Sequence, residues 1–264
     1  MIAYDPGSID GGRRCRTLNA IFEKTFSVSY HELDSHGNLR LLTVLNYLQD
    51  VAGAHAASLG VSVADLRPRG LTWVLSRIHL HVERYPRAEE IVVVRTWPAT
   101  REGIFTCREF ELFDSFGACV ARASTSWALL KIASRRPVRL EDHLPPYPLV
   151  PRRAVDDDFI PLPPVPAEAT AEMGFRVLRS DLDINHHVNN TVFAGWAVEA
   201  VPDRIADKVL TELEVSFRAE ALYGDSIVSR CLIVAEDGAP CCLHQIVNSR
   251  DGKELARLRT RWKS

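Results

Sequence analysis

Polar side chains that could do chemistry are concentrated at residues 180–191, with the sequence SDLDINHHVNNT. This segment holds two carboxylates, two adjacent imidazoles and three side-chain amides, and residues 192–196 follow with large apolar side chains at helical spacing. Asn189 or Asn190 is suited to cap that helix, because an amide oxygen accepts hydrogen bonds from free first-turn N–H groups. One interpretation is a polar loop that only shapes a turn and caps a helix. The density of titratable groups favours acid–base chemistry at a helix N-terminus, where developing negative charge is stabilised.

The composition indicates a folded protein without a strong charge bias. The 264 residues are 46% hydrophobic and 25% charged, with a formal net charge of -2. The chain can therefore bury a sizeable core, and its charge gives no reason to expect a nucleic-acid partner. Six scattered cysteines without a C-x-x-C pair indicate reduced thiols and a cytoplasmic protein. No signal peptide and no membrane-spanning stretch is recognised, so we expect no membrane partner.

A strand, a long helix and four more strands are predicted for the first part of the chain. Alternating apolar residues predict a strand at 26–30, and a polar turn then leads to a helix with Asn38 as its cap and Gly60 as its stop. One apolar stripe marks this helix: Leu41, Leu45, Leu48, Ala52, His55 and Leu59. Strand patterns follow at 71–82, 91–97, 104–113 and 119–130. The order predicts one antiparallel sheet wrapped around one helix.

The pattern repeats after a proline-rich stretch. Eight of the fifteen prolines lie at 145–166, which is typical of a semi-rigid linker. Residues of the first strand and turn recur 149 positions later, as Asp34 does in Asp183, and residues of the last strand recur 135 positions later, as Trp127 does in Trp262. Because the two separations differ, the first copy must contain extra residues in its middle, and we place them near 62–69. We therefore predict an α+β protein with an N-terminal extension at 1–21, a first unit at 22–144, a linker at 145–172 and a second unit at 173–264.

Two motifs of the second unit match a known family pattern. Residues 183–190 read DINHHVNN and are followed by FAGW at 193–196, and residues 217–221 read FRAEA. They resemble the D-x-N-x-H-V-N-N…GW signature and the aromatic-R-x-E-C segment of fatty acyl-acyl carrier protein thioesterases, and LNYLQD at 45–50 is similar to that family's N-terminal helix pattern. The resemblance implies a tandem (double) hotdog, in which each unit wraps a curved antiparallel sheet around a long helix. It implies a bacterial-type enzyme, because the targeting peptide of the plastid enzymes is missing.

The resemblance places the family's catalytic residues at four positions: Asp183, Asn185, His187 and Glu220. Thioester hydrolysis requires an activated water and a stabilised oxyanion, and an imidazole beside carboxylates can accept a proton from water. We expect His187 and Glu220 to activate water, with Glu220 as the direct base. Asn185 would orient the water or carbonyl, and Asp183 would fix His187 or stabilise its cation. Direct attack by Asp183 to form an anhydride stays open, whereas Ala221 excludes a cysteine nucleophile at the family's cysteine position.

The reaction implied is hydrolysis of fatty acyl-[acyl carrier protein], which releases free fatty acid and ends chain elongation. No metal or other cofactor is expected, because His186-His187 lacks ligand spacing and nearby partners, and His186 should point away. Backbone N–H groups near Thr191 are the expected oxyanion donors. An acyl-CoA thioesterase of the same fold and a non-catalytic acyl-binding protein are the alternatives.

The partner implied is acyl carrier protein, and a homodimer is left open. Because the carrier is acidic, two clusters of arginines are candidates for docking it. One cluster comprises Arg135, Arg136 and Arg139, and the other comprises Arg67 and Arg69.

Comparison of the two units predicts a single active site. The first unit keeps Asp34 but has Asn38 and Tyr85 at the positions of His187 and Glu220, so it lacks the imidazole and the second carboxylate. It is therefore expected to supply the acyl pocket. The predicted substrate-binding residues are Leu41, Leu45, Leu48 and Trp73, with Asn189 and Asn190 beside the catalytic motif.

Overall fold

Ten antiparallel strands in the described part of the chain form one continuous sheet, in the order β1-β3-β4-β5-β2-β7-β10-β9-β8-β6. The computed structural model describes residues 19–166, 168–235 and 239–263, so most of the predicted extension at 1–21 lies outside the described residues. The strands are β1 (Phe22–Ser27), β2 (Leu71–Val82), β3 (Ile91–Pro98), β4 (Phe105–Phe113), β5 (Cys119–Lys131), β6 (Ala171–Arg176), β7 (Val209–Phe217), β8 (Ser226–Ala235), β9 (Cys241–Asn248) and β10 (Glu254–Lys263). The α-helices are α1 (Leu41–Ser58), α2 (Val63–Leu66), α3 (Leu140–His143), α4 (Asn190–Glu199) and α5 (Asp203–Ala206).

The two longer helices pack against the sheet and against each other. Buried apolar residues of α1, α4 and the strands form one shared core, and the sheet is joined between the units by the pairing of β2 with β7. Gly195 lies where the helices meet, because a Cβ there would stand 3.3 Å from Leu42 Cδ2. No helix among the described residues has the length and apolarity needed to cross a bilayer.

The two units repeat their local backbone hydrogen bonds. In each unit an aspartate N–H donates across the polar turn, and the residue after the turn donates to the segment between the unit's second and third strands. Equivalent pairs are Asp34–Asn38 with Asp183–His187, and Leu39–Pro86 with Val188–Ala221. The separations of 149 and 135 residues therefore identify structurally equivalent positions.

Most predicted elements of the first unit agree with the structure to within a residue, but two local predictions are wrong. The first strand ends at Ser27, and Tyr30–Glu32 form a 3-10 helix instead of continuing the strand. Helix α1 begins after Arg40, which is its cap position, so Asn38 lies two residues too early and instead closes the preceding turn through backbone bonds to Asp34. Gly60 follows the helix with φ 70°, a backbone conformation suited to a helix stop.

The proline-rich linker packs on the face of the sheet opposite to the helices. Phe110 belongs to the core, so Glu109, its neighbour on β4, points to the other face. There the buried Glu109 carboxylate accepts hydrogen bonds from Arg153 Nε (2.9 Å) and from the Ala154 N–H (2.8 Å). Strand β6 begins at Ala171, two residues before the predicted start of the second unit.

Candidate active site

One cavity of about 1150 Å³ joins the two units. Its wall contains the predicted catalytic residues at one end and apolar residues of the first unit along the rest. Second-unit residues on the wall include Asp183, Asn185, His187, Asn189, Asn190 and Glu220. First-unit residues on the wall include Gln49, Ala52, Ala56, Trp73, Phe105 and Trp127. The structure therefore brings all four predicted catalytic side chains to one cavity.

The turn that carries His187 is built by the Asp183 carboxylate. Its Oδ1 accepts hydrogen bonds from the backbone N–H of Asn185 (2.8 Å) and of His187 (3.3 Å), and Oδ2 accepts one from Asn185 Nδ2 (3.2 Å). His186 occupies the turn's left-handed position, with φ 63°, and is exposed. Asp183 thus fixes His187 through the main chain.

The equivalent turn of the first unit has the same construction without the catalytic side chains. Asp34 Oδ1 accepts hydrogen bonds from the backbone N–H of His36 and of Asn38, both at 2.9 Å. Gly37, with φ 77°, stands where His186 stands in the second unit. Because Asp34 builds this turn with no imidazole to orient, the aspartate is a requirement of the turn itself.

Glu220 lies between a cation of the first unit and the imidazole of the second. Glu220 Oε2 is 3.5 Å from His187 Nε2, and Arg135 Nη2 donates a hydrogen bond to Glu220 Oε1. Both Glu220 and His187 are partly exposed to the cavity. The sequence places Arg135 in a candidate carrier-docking loop with Arg136 and Arg139, but in the structure its guanidinium pairs with the Glu220 carboxylate.

Backbone N–H groups at the start of α4 are mostly engaged already. Asn189 caps the helix, as one of the two predicted alternatives, and its Oδ1 accepts from the Thr191 N–H while its C=O accepts from the Val192 N–H. The Asn190 N–H is the first-turn amide for which the described residues offer no acceptor. Gln49 of α1 donates to Asn189 Oδ1 (3.2 Å), so the first unit also supports the cap.

The predicted substrate-binding residues divide into two groups. Trp73, Asn189 and Asn190 lie on the cavity wall. Leu41, Leu45 and Leu48 are not on that wall, because their stripe of α1 faces the core. Leu45 and Leu48 line a small second pocket of about 10 Å³, which shares Gln49, Leu75 and Trp127 with the wall of the main cavity. The cavity instead borders the side of α1 where the side chains are small, at Ala52, Gly53 and Ala56. The run AGAHAA at 52–57 was the available signal, because small side chains leave room for a ligand.

A buried cation also reaches the cavity wall. Arg108 Nη1 donates to His55 Nδ1 (3.0 Å) and to Thr96 Oγ1 (3.3 Å), and no carboxylate pairs with Arg108 among the described residues. Burial lowers the pKa of Arg108 to about 10. Burial and the charge of Arg108 lower the pKa of His55 to about 4, so that imidazole is neutral.

Two family models together match most of the chain. The model of the acyl-ACP thioesterase N-terminal domain matches residues 19–146, and that of the C-terminal domain matches residues 165–264. The chain belongs to the acyl-ACP thioesterase family. The resemblance inferred from the two motifs is thereby confirmed.

Relatives and solved structures of the family cover nearly all of the described chain. Oleoyl-acyl carrier protein thioesterase 1, chloroplastic, of Arabidopsis thaliana is 29% identical over 92% of this chain and 76% of its own length. A 12:0-ACP thioesterase from Umbellularia californica superposes with a TM-score of 0.81 at 25% identity, over 92% of this chain and 94% of that one. An acyl-ACP thioesterase from Bacteroides thetaiotaomicron gives a TM-score of 0.79 at 23% identity, over 92% and 98%. These superpositions confirm the predicted tandem hotdog fold.

None of the cysteines that the structure describes lies on the cavity wall of this acyl-ACP thioesterase. The residue after Glu220 is Ala221, which is fully buried. The described residues of the wall therefore offer no thiol nucleophile.

Groups that could hold a metal ion lie away from the cavity. His79, His81 and Glu212 present ligand atoms within 4.8 Å of one another. His79 is already hydrogen-bonded through Nδ1 to Asp157 (2.7 Å) and through Nε2 to Glu212 (3.2 Å), so the cluster is explained by its own ion pairs.

Proposed function

We propose that this chain hydrolyses the thioester of fatty acyl-[acyl carrier protein] by activating water, and so releases free fatty acid and terminates elongation. The observation that carries the proposal is the pairing of Glu220 and His187, 3.5 Å apart, at one end of a cavity of about 1150 Å³ with an apolar wall. A cavity of that size can bury a fatty chain while its thioester lies at the polar end.

Glu220 is the proposed general base. A water bound between the Glu220 carboxylate and the His187 imidazole gives up a proton as it attacks the thioester carbon, and the thiolate leaves without needing strong acid help. Arg135 holds the carboxylate from the opposite unit and so fixes its direction. The Asn190 N–H at the start of α4 is the proposed oxyanion donor, and removal of one such donor typically costs about 3 kcal/mol of transition-state stabilisation.

Asp183 is the proposed positioning residue of the site. Its two carboxylate oxygens accept three hydrogen bonds within the turn, and Asp34 does the same work in the unit without catalysis. This supports orientation of His187 over direct attack by Asp183. An Asp183→Asn variant keeps one acceptor oxygen for the turn, so it should retain more activity than Asp183→Ala, whereas a nucleophile would be lost equally in both.

The finer statements about partners are proposals as well. Arg136 and Arg139 are exposed, and they support electrostatic docking of an acidic carrier near the cavity. Apparent affinity should then fall as added salt shortens the Debye length below about 10 Å. The scattered cysteines and the charge balance support a cytoplasmic protein with no nucleic-acid or membrane partner. Light scattering would test the homodimer that the sequence leaves open.

The deciding experiment measures release of free thiol from acyl-acyl carrier protein beside the same acyl group on coenzyme A. Faster turnover of the carrier substrate supports the proposal, preference for the CoA ester favours the acyl-CoA alternative, and no release from either indicates a binding protein. Glu220→Gln keeps the shape of the side chain and should lower kcat by orders of magnitude. Near-normal kcat in that variant would refute Glu220 as the base.

A further inference from the structure

Four exposed apolar side chains form a patch beside the active site. Ile184 is 79% exposed, Leu178 56%, Leu222 51% and Tyr223 50%. Large apolar side chains that cluster in the open on one surface are typical of interaction sites. We call these four residues the mouth patch.

The mouth patch comes from three segments that the backbone ties together. The Gly224 N–H donates to Val177 O (3.1 Å), which joins the segment of Tyr223 to that of Leu178. The Val188 N–H donates to Ala221 O (3.0 Å), which joins the catalytic turn to the segment of Leu222. The patch therefore has a fixed shape before any partner binds.

The patch is continuous with the catalytic cavity. Ile184 lies between Asp183 and Asn185 in the turn, and it contributes to the cavity wall as well as to the surface. Leu222 follows Glu220 by two residues. A partner seated on the patch would stand directly over the entrance to the acyl cavity.

The first unit shows that this scaffold does not need apolar residues at these positions. The same backbone hydrogen bonds recur there, including Glu89 N–H to Val28 O at 2.9 Å. The residues equivalent to Leu178, Ile184, Leu222 and Tyr223 are Ser29, Ser35, Arg87 and Ala88. The first unit folds the same segments with polar or small side chains. Folding therefore does not explain why these four positions are apolar in the second unit.

Positive charge borders the patch. The Arg179 guanidinium lies over the Tyr223 ring, 4.3 Å from its centroid, and Lys253 and Arg218 stand at the cavity wall nearby. An apolar centre with a basic border fits a protein surface that is apolar in the middle and acidic at its edge.

We propose that the mouth patch is the docking surface for the acyl carrier protein, with Leu178, Leu222 and Tyr223 as its apolar contacts. This inference rests on the proposed function and adds the surface by which the substrate is presented. A carrier bound there feeds its thioester arm past Ile184 to Glu220. Arg136 and Arg139 would then add electrostatic attraction that weakens with salt, while the mouth patch supplies the specific contact.

The test replaces patch residues with those that the first unit carries. The variant combines Leu178→Ser with Tyr223→Ala, because Ser29 and Ala88 occupy the equivalent places in a unit that folds. Each variant is assayed on acyl-acyl carrier protein and on the same acyl group attached to N-acetylcysteamine, a thioester with no protein part. The matched control is Phe116→Ser, since Phe116 is 95% exposed in the β4–β5 turn and is absent from the cavity wall.

We expect kcat/KM on the carrier substrate to fall about tenfold or more through a higher KM, the factor given by the loss of ~1.4 kcal/mol of binding. Activity on the small thioester should stay within about twofold of the original protein, as should both activities of Phe116→Ser. An equal loss on both substrates, or no loss on either, would overturn the docking assignment. A change from dimer to monomer with unaltered carrier kinetics would show that the patch binds a second copy of the chain. If the unaltered protein hydrolyses neither substrate, the proposed function fails; if it hydrolyses both and the variant matches it, only the docking surface fails.

Discussion

The length of acyl chain that the cavity accepts should depend on Ala56. Helix α1 borders the cavity from Gln49 to Ala56. Gln49 donates a hydrogen bond to Asn189, the N-cap of α4. Seven residues of helix cover about 10 Å, so Ala56 lies on the cavity wall at about that distance from Gln49. Ala56→Leu adds three carbon atoms to the wall at that depth and shortens the space for the acyl chain.

The expected cost follows from the methylenes that lose their burial. If the three added carbons displace about three methylenes at ~0.8 kcal/mol each, the loss is about 2.4 kcal/mol. That corresponds to a decrease of about 50-fold in kcat/KM. The decrease should fall on acyl chains that extend past Ala56, whereas shorter chains should keep their kcat/KM.

The assay is a series of acyl-acyl carrier protein substrates of increasing chain length. Ala57→Leu is the matched control, because Ala57 is exposed, adjacent on the same helix and absent from the cavity wall. A uniform loss across all chain lengths, or the same profile in both variants, would refute the assignment of α1's small side chains to the acyl pocket. The same series made with Leu45→Trp would show whether the core stripe has any part in chain selection.

Three further predictions concern charge in the structure. Arg135→Gln should lower kcat on a small thioester about tenfold or more, because Glu220 loses the cation that directs it, while Arg136→Gln should not; equal effects would contradict the assignment. Burial holds His55 and His244 neutral, with pKa values of about 4 and about 3, so the unfolding free energy should drop as pH falls below about 6.5, by about 3 kcal/mol from His55 alone by pH 4. In urea unfolding, the unfolding free energy of His244→Gln should fall less steeply with decreasing pH than that of the original protein. An unchanged pH dependence would refute this. Although burial opposes it, hydrogen bonds to Glu212 and Asp157 and the charge of Glu214 raise the pKa of His79, so its contribution to stability is full below about pH 6.5 and is lost as pH rises through the raised value. His79→Gln should therefore destabilise the protein more at about pH 6 than at about pH 9, and the reverse order in thermal unfolding would contradict it.

Long periodic patterns were the reliable part of the sequence. The strand pattern at 71–82 predicts β2, and the apolar stripe at helical spacing predicts α1. Each pattern is long enough that the burial of one apolar face determines the type of secondary structure. The prediction that Asn38 caps α1 was wrong because it rested on one side chain alone. In the structure Asn38 is part of the turn that Asp34 closes. The motif at 183–190 predicted three of the four proposed catalytic side chains, Asp183, Asn185 and His187, which lie close together in sequence and on one cavity wall.

Contacts between the two units could not be predicted from the sequence. Arg135 and Glu220 are 85 residues apart, and Gln49 and Asn189 are 140 residues apart. No local pattern links either pair, since each depends on how β2 and β7 join the two halves into one sheet. The small residues of α1 on the cavity wall, at Ala52, Gly53 and Ala56, were not predicted. Their small side chains gave a weaker sequence signal than the leucines beside them, although the pocket itself was expected in the first unit.

The two units separate what the fold requires from what the chemistry requires. Both build the same turn with an aspartate, Asp34 or Asp183, and both anchor it to the same neighbouring segment. Only the second unit adds an imidazole and a carboxylate; at the position of Glu220 the first unit has Tyr85, which is buried and whose pKa burial raises. Asp183 thus belongs to a turn that both units share, whereas His187 and Glu220, the proposed catalytic pair, have counterparts of a different chemical type in the first unit. The first unit also contributes to this site, because Arg135 donates to the Glu220 carboxylate and Gln49 donates to Asn189, the cap of α4. In the proposed mechanism, therefore, the second unit supplies the reacting groups, and the first unit supplies much of the cavity wall and the contacts that hold those groups in place.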